Sequence, residues 1–231
     1  MMRVLLLPGW GFRAAVFKPL TNALGSEFHF DSVESSQYGN DAALPASLVE
    51  QAADVELLIG WSLGSLVVLQ LALARPAAGR RLVLLAPTPA FTRGHGWRAG
   101  MQEDVFRDFS ELAMADPAAG LRQFVRLNYG IRMASQHRTF LADNTLEPGD
   151  AALKNGLARL ASTDLRDSVS EVSERTLVMN AADDRLINPV AGKWLAEHLA
   201  RAELQSYDNG GHAFFTARPV EVAERIQQWV Q

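Results

Sequence analysis

Residues 57–74 form an eighteen-residue run without a charged side chain, which is the threshold length for a membrane-crossing helix. The interior argues against that reading, because Gly60, Ser62, Gly64 and Ser65 stand where a span needs hydrocarbon. The run divides instead into a short apolar strand at 57–60, a glycine-flanked turn and an apolar helix over 63–74. A strand and a helix that are apolar all round must be buried on every side. A parallel sheet with helices on both faces provides such an environment.

The rest of the chain repeats the alternation. Apolar runs at 4–7, 28–33, 82–86, 176–180 and 203–207 read as strands, with helical patterns at 14–24, 44–53, 190–199 and 220–230. Pro189 and Pro219 sit where a first helical turn tolerates proline. The spacing breaks after Ala86. From 87 to 172 only helical patterns appear, at 103–115, 117–129, 135–143 and 151–160, and such a length is too great for a simple loop. The expected architecture is therefore an α/β fold with a mostly parallel, doubly wound sheet of about six strands, built from 1–86 and 173–231. A helical cap, 87–172, is inserted after the fourth strand. Such an insertion should lie over the carboxyl edge of the sheet, where doubly wound folds bind ligands.

Composition narrows the chemistry. The chain has no cysteine, which excludes a disulfide framework, a thiolate nucleophile and a thiolate-held metal. Covalent catalysis would fall to Ser, Thr, Lys, Asp or His. With 22 Lys plus Arg against 26 Asp plus Glu and a net charge of −4, nucleic acid is not an expected partner. Near the amino terminus only Arg3 is basic and Pro8 ends the apolar run, which is too short for the core of a signal peptide. A cytoplasmic protein without membrane association is expected.

Gly60-Trp61-Ser62-Leu63-Gly64 is a G-x-S-x-G sequence between an apolar strand and an apolar helix, the setting of a nucleophile elbow. A serine nucleophile needs a histidine base and a carboxylate to orient it, and on such a sheet the acid comes first in the chain and the histidine last. The strand at 176–180 runs into Asp183 and Asp184, and the strand at 203–207 runs into Asn209-Gly210-Gly211-His212. Asp184 is the preferred acid because it directly precedes Arg185-Leu186-Ile187, which leads into the next helix; Asp183 would then be a solvated loop or capping residue. His29, His95, His137 and His198 lie in a strand, the insertion or a surface helix and read as structural or solvated. The oxyanion hole would combine the amide of Leu63 with that of Trp10, in the loop after the first strand. The Trp10 and Trp61 indoles, with Phe124 from the insertion, are candidates for an apolar substrate pocket, with core packing as the competing role.

These residues resemble the α/β-hydrolase superfamily and, within it, the serine carboxylesterases of biotin synthesis. The resemblance rests on Leu5-Leu6-Leu7-Pro8-Gly9-Trp10-Gly11, Gly60-Trp61-Ser62-Leu63-Gly64, Asp184 before Arg185-Leu186-Ile187, Gly211-His212-Ala213-Phe214, and the ends of the insertion at Ala86-Pro87-Thr88-Pro89-Ala90-Phe91 and Thr163-Asp164-Leu165-Arg166. It implies attack by Ser62 on the methyl or other short-alcohol ester of a carrier-linked acyl chain, with no metal or organic cofactor. Two departures stand out. Pro8 replaces the histidine common after the first core strand, and Ala181 replaces the glycine usual before the acid.

Residues 117–142 hold Arg122, Arg126, Arg132 and Arg138 and no acidic side chain. Arg122 and Arg126 are four apart on one helical face, beside an apolar face of Leu121, Phe124 and Val125 with Asn128. This suggests docking of an acyl-carrier protein; a solvated helix face is the competing reading. The same triad would also suit a broad short-chain esterase, a thioesterase or a carbon–carbon bond hydrolase, and a non-catalytic ligand-binding fold is a further alternative.

Overall fold

A computed structural model describes residues 1–39, 43–130 and 134–231. Six strands, β1 (Met2–Leu7), β2 (Phe28–Ser32), β3 (Leu57–Trp61), β4 (Arg81–Leu85), β5 (Arg175–Ala181) and β6 (Ala202–Tyr207), form one sheet in the order β2-β1-β3-β4-β5-β6. Every neighbouring pair is parallel, so the expected mostly parallel sheet is parallel throughout. Val4 to Leu7, all of β3 and Leu82 to Leu85 are buried, as strands covered on both faces require.

The sheet is wrapped by α1 (Lys18–Leu24), α2 (Ala46–Gln51), α3 (Leu63–Ala74) and, after an excursion, α8 (Pro189–His198), α9 (Phe214–Ala217) and α10 (Pro219–Val230). The excursion between β4 and β5 contains α4 (Glu103–Ala115), α5 (Pro117–Leu127), α6 (Ser135–Asp143) and α7 (Ala151–Ser162). It leaves at Ala86, which takes a positive φ of 47° while its amide donates to Met179 O at 2.8 Å. Helices α4 and α5 cross tightly: a Cβ on Gly120 would meet the Ala113 Cα at 2.6 Å. No helix among the described residues is long and apolar enough to cross a membrane. The uncharged run at 57–74 is instead β3, the elbow and α3, a twelve-residue helix with buried residues around its whole circumference.

The order in which strands are added reverses between β1, which is followed outward by β2, and β3, which is followed the other way toward β6. That is the switch point of a doubly wound sheet, where a crevice opens at the carboxyl ends of the strands. The loops after β1 and β3 flank it, and they carry Trp10 and Ser62.

Candidate active site

Ser62 follows β3 with φ 55° and ψ −118°, a left-handed backbone that costs a non-glycine residue roughly 1–3 kcal/mol. The flanking glycines make the turn sterically possible. A Cβ on Gly60 would lie 2.5 Å from Gly64 O, and one on Gly64 would lie 2.0 Å from Leu7 O, so β1, β3 and α3 meet at distances that only hydrogen side chains permit. The Ser62 amide donates to Leu85 O at 2.9 Å, and Ser65 Oγ donates to Gly60 O at 2.6 Å. Strain at one residue is thus held by bonds on either side of it.

The Ser65 and Leu66 amides donate back to Ser62 O. Among the described residues the Leu63 and Trp10 amides have no hydrogen-bond acceptor. Gly9 brings the Trp10 loop against the elbow, since a Cβ there would stand 3.1 Å from the Trp61 ring and 3.2 Å from Ser62 Cβ. Two unengaged amides beside a serine hydroxyl suit a developing oxyanion.

His212 is fully buried. Its Nδ1 lies 2.7 Å from Asp184 Oδ2, and both side chains are 1% exposed. Asp184 Oδ1 accepts from the Leu186 and Ile187 amides at 2.8 and 3.0 Å, which turns Oδ2 toward the imidazole. His212 Nε2 is buried and makes no hydrogen bond among the described residues, to Ser62 Oγ or any other group. Asp183 is a partly exposed loop residue with a specific partner. Its Oδ1 accepts from the Gly211 amide at 2.7 Å, because the β5 loop lies directly under the β6 loop. Ala181 has no positive φ and closes β5 opposite Tyr207, so extended backbone fits where the superfamily commonly has glycine.

The inserted helices reach this site. A Cβ on Gly211 would meet Gly130 N at 2.3 Å and Asn128 O at 2.7 Å, which places the end of α5 on the histidine loop. Trp10 Nε1 donates to Leu153 O of α7 at 2.7 Å. An apolar cavity of about 330 Å³ runs between the inserted helices and the sheet edge, with Trp10, Phe106, Phe109, Phe124, Leu160 and Leu186 in its wall. Trp10 and Phe124 therefore line it, their rings edge-to-face at 4.7 Å. Trp61 does not. It is the last residue of β3 and points into the core beneath the site, against Phe12 and Phe215, with Nε1 donating to His212 O at 3.0 Å.

Arg122 and Arg126 are exposed on α5, while Leu121, Phe124, Val125 and Asn128 are buried, as amphipathic spacing predicts. Both arginines border a groove that also includes Leu121, Val125 and Tyr129. The Arg138 guanidinium lies 5.6 Å from the Tyr129 ring centroid. Burial raises the Tyr129 pKa above the ordinary phenol value, and Arg138 and Arg126 oppose the rise. Arg132 lies outside the described residues.

A model of the alpha/beta hydrolase family matches residues 4–225, and the chain belongs to that family. It is accordingly a hydrolase. A pimeloyl-[acyl-carrier protein] methyl ester esterase of Xanthomonas campestris pv. campestris (strain B100) is 31% identical over 240 residues, covering 98% of this chain and 94% of the relative. The enzyme of that name from Nitrosomonas europaea is 28% identical, over 94% and 90%. Among solved structures, an esterase from Exiguobacterium antarcticum superposes with a TM-score of 0.90 at 21% identity, covering 100% of this chain and 92% of that one. A bromoperoxidase from Bacillus anthracis gives 0.83 at 17%, over 99% and 91%. These two likenesses concern the fold.

Proposed function

We propose that this hydrolase is a serine carboxylesterase that cleaves the methyl ester of a carrier-linked pimeloyl chain in biotin synthesis, acting in the cytoplasm beside its carrier protein. Two observations carry the reading: a buried Asp184–His212 pair, and a serine on a strained elbow at the end of β3. Ser62 Oγ attacks the ester carbonyl as His212 Nε2 takes its proton, and the Asp184 carboxylate holds the imidazole tautomer and supports the imidazolium. The carbonyl oxygen, now anionic, receives the Leu63 and Trp10 amides, each worth about 3 kcal/mol in such a role. Collapse of the intermediate expels the alkoxide, which leaves as alcohol with the histidine's proton. Water attacks the acyl-enzyme through the same base and releases acid and free serine. The apolar cavity suits the methylene chain.

Arg122 and Arg126, with Arg138, form the docking face for an acidic acyl-carrier protein, and Arg132 belongs to the same basic stretch of sequence. The four arginines without an acidic neighbour in 117–142 and the exposure of Arg122 and Arg126 support this part. The test compares the carrier-linked methyl ester with the free methyl ester of the same acid. Replacing Arg122 and Arg126 together by Glu should lower kcat/KM on the carrier-linked ester about tenfold or more at low salt, through slower association, and leave the free ester unchanged. Equal loss on both substrates, or none, removes the docking face. Growth of a biotin auxotroph lacking the methyl ester esterase, on complementation with this chain, tests the substrate itself; failure to grow, with rapid turnover of p-nitrophenyl esters, would favour a broad short-chain esterase.

A further inference from the structure

We propose that Tyr38 is a positioning residue for the oxyanion loop, its hydroxyl fixing the Pro8–Gly9 peptide so that the next amide, that of Trp10, faces the nucleophile. This rests on the reading of the Trp10 amide as an oxyanion donor. Pro8 has no N–H and follows the last residue of β1, so sheet pairing does not set its orientation. Its carbonyl accepts from Tyr38 Oη at 2.8 Å in a buried setting. Among the described residues the following carbonyl, Gly9 O, receives only the long 3.4 Å bond from the Phe12 amide, and Gly9 has no Cβ to resist rotation. The tyrosine bond is therefore the firm constraint on this side of Trp10. On the other side Glu34 accepts from the Ala14 amide at 3.1 and 3.2 Å, and a 3-10 turn at Ser35–Tyr38 joins the two anchors.

Tyr38 is itself held. It is 2% exposed, and its carbonyl accepts from Arg159 Nη2 at 2.7 Å, while Arg159 Nη1 donates to Gln70 Oε1 of α3 at 2.9 Å. Burial first and Glu34 second raise the phenol pKa well above the ordinary value, with Arg159 opposing, so the hydroxyl stays protonated and can donate.

The experiment is Tyr38→Phe in the full chain, with kcat and KM on a methyl ester, the rate of Ser62 labelling by a fluorophosphonate, and Tm. The control is Thr176→Val, which deletes another buried hydroxyl, donating to Glu174 O at 3.1 Å, near the start of β5 and away from the site. For Tyr38→Phe, kcat should fall about tenfold, a part of the roughly 10²–10³ lost when an oxyanion donor is removed outright. KM should stay within about twofold and labelling should slow by the same factor as kcat, whereas Thr176→Val should keep both rates despite a similar Tm loss. Unchanged turnover and labelling in Tyr38→Phe overturn the inference, as does slowing in both variants in proportion to Tm. If the wild-type serine is not labelled at all, the serine-hydrolase reading fails and takes this inference with it.

Discussion

Replacing Asp184 by Asn separates the two neighbouring acids. Asp184 Oδ1 accepts two amides, Leu186 N–H at 2.8 Å and Ile187 N–H at 3.0 Å, so an asparagine at 184 must keep its carbonyl oxygen there. Its NH2 then occupies the position of Oδ2, 2.7 Å from His212 Nδ1. Two N–H groups cannot face each other at that distance. The ring must present Nδ1 as an acceptor and carry its proton on Nε2, the nitrogen that takes the serine proton in the proposed mechanism. A wrong tautomer of this kind costs on the order of 10⁴ in kcat, or about 5.4 kcal/mol at 1.36 kcal/mol per tenfold. Asp183→Asn leaves the imidazole pair intact, and its amide oxygen can still accept the Gly211 amide. At the Gly211 amide it loses charge assistance, about 1 kcal/mol, equivalent to about fivefold. The assay is steady-state hydrolysis of a methyl ester and a p-nitrophenyl ester near neutral pH, with thermal unfolding measured for both variants. Retention of activity within tenfold in Asp184→Asn, or an equal or larger loss in Asp183→Asn, would refute the assignment and the tautomer reasoning.

Gly156→Ala should lower kcat about tenfold and destabilise by roughly 1–3 kcal/mol through overpacking, because its Cβ would meet Trp10 Cδ1 at 2.5 Å and Leu63 Cδ2 at 3.1 Å; esterase kinetics and a melting curve check both. Asp164→Asn tests a pH effect away from the site. Arg166, mainly by a side-chain hydrogen bond, lowers the Asp164 pKa against the opposing effect of burial. A depressed carboxylate stabilises the fold above its unfolded pKa of about 3.9 and loses that contribution as pH falls through the folded value. With this side chain 46% exposed, the difference from wild type is screened to about 0.5 kcal/mol at pH 7, and urea titrations of the two proteins should converge below about pH 4.

The sequence patterns were legible where periodicity or burial repeats over many residues. Helices α3, α4 and α6 fall at their expected residues, while several strands extend beyond their apolar runs. Arg81 and Arg175 begin strands with polar residues, and Trp61 and Ala181 end strands where a turn was expected to have started. The four residues of α9 are too few to show a 3.6-residue period, although Phe214 and Phe215 are fully buried there. Ser35–Tyr38 has no apolar pattern, so the anchor for Pro8 was not visible. The bond from the Gly211 amide to Asp183 has no local sequence signal, because it joins loops 28 residues apart. Trp10 and Trp61 have similar glycine-rich surroundings in sequence, yet one occupies a loop facing the inserted helices and the other ends a strand facing the core. That difference is set by backbone direction, which composition does not encode.

The inserted helices do more than cover the cavity. Leu153 O of α7 accepts the Trp10 indole, Gly156 of the same helix packs on that ring, and Arg159 one turn later holds the Tyr38 carbonyl. One helix thus touches both the Trp10 side chain and the tyrosine whose hydroxyl bonds the Pro8 carbonyl. The end of α5 meets the histidine loop where Gly130 and Gly211 exclude any side chain from between them. The Ser62 turn rests on core contacts among Leu7, Gly60 and Gly64, whereas the loops that carry His212 and Trp10 also contact the insertion. Displacement of α5 or α7 should therefore reduce turnover through His212 and Trp10 while leaving the strained conformation of Ser62 in place.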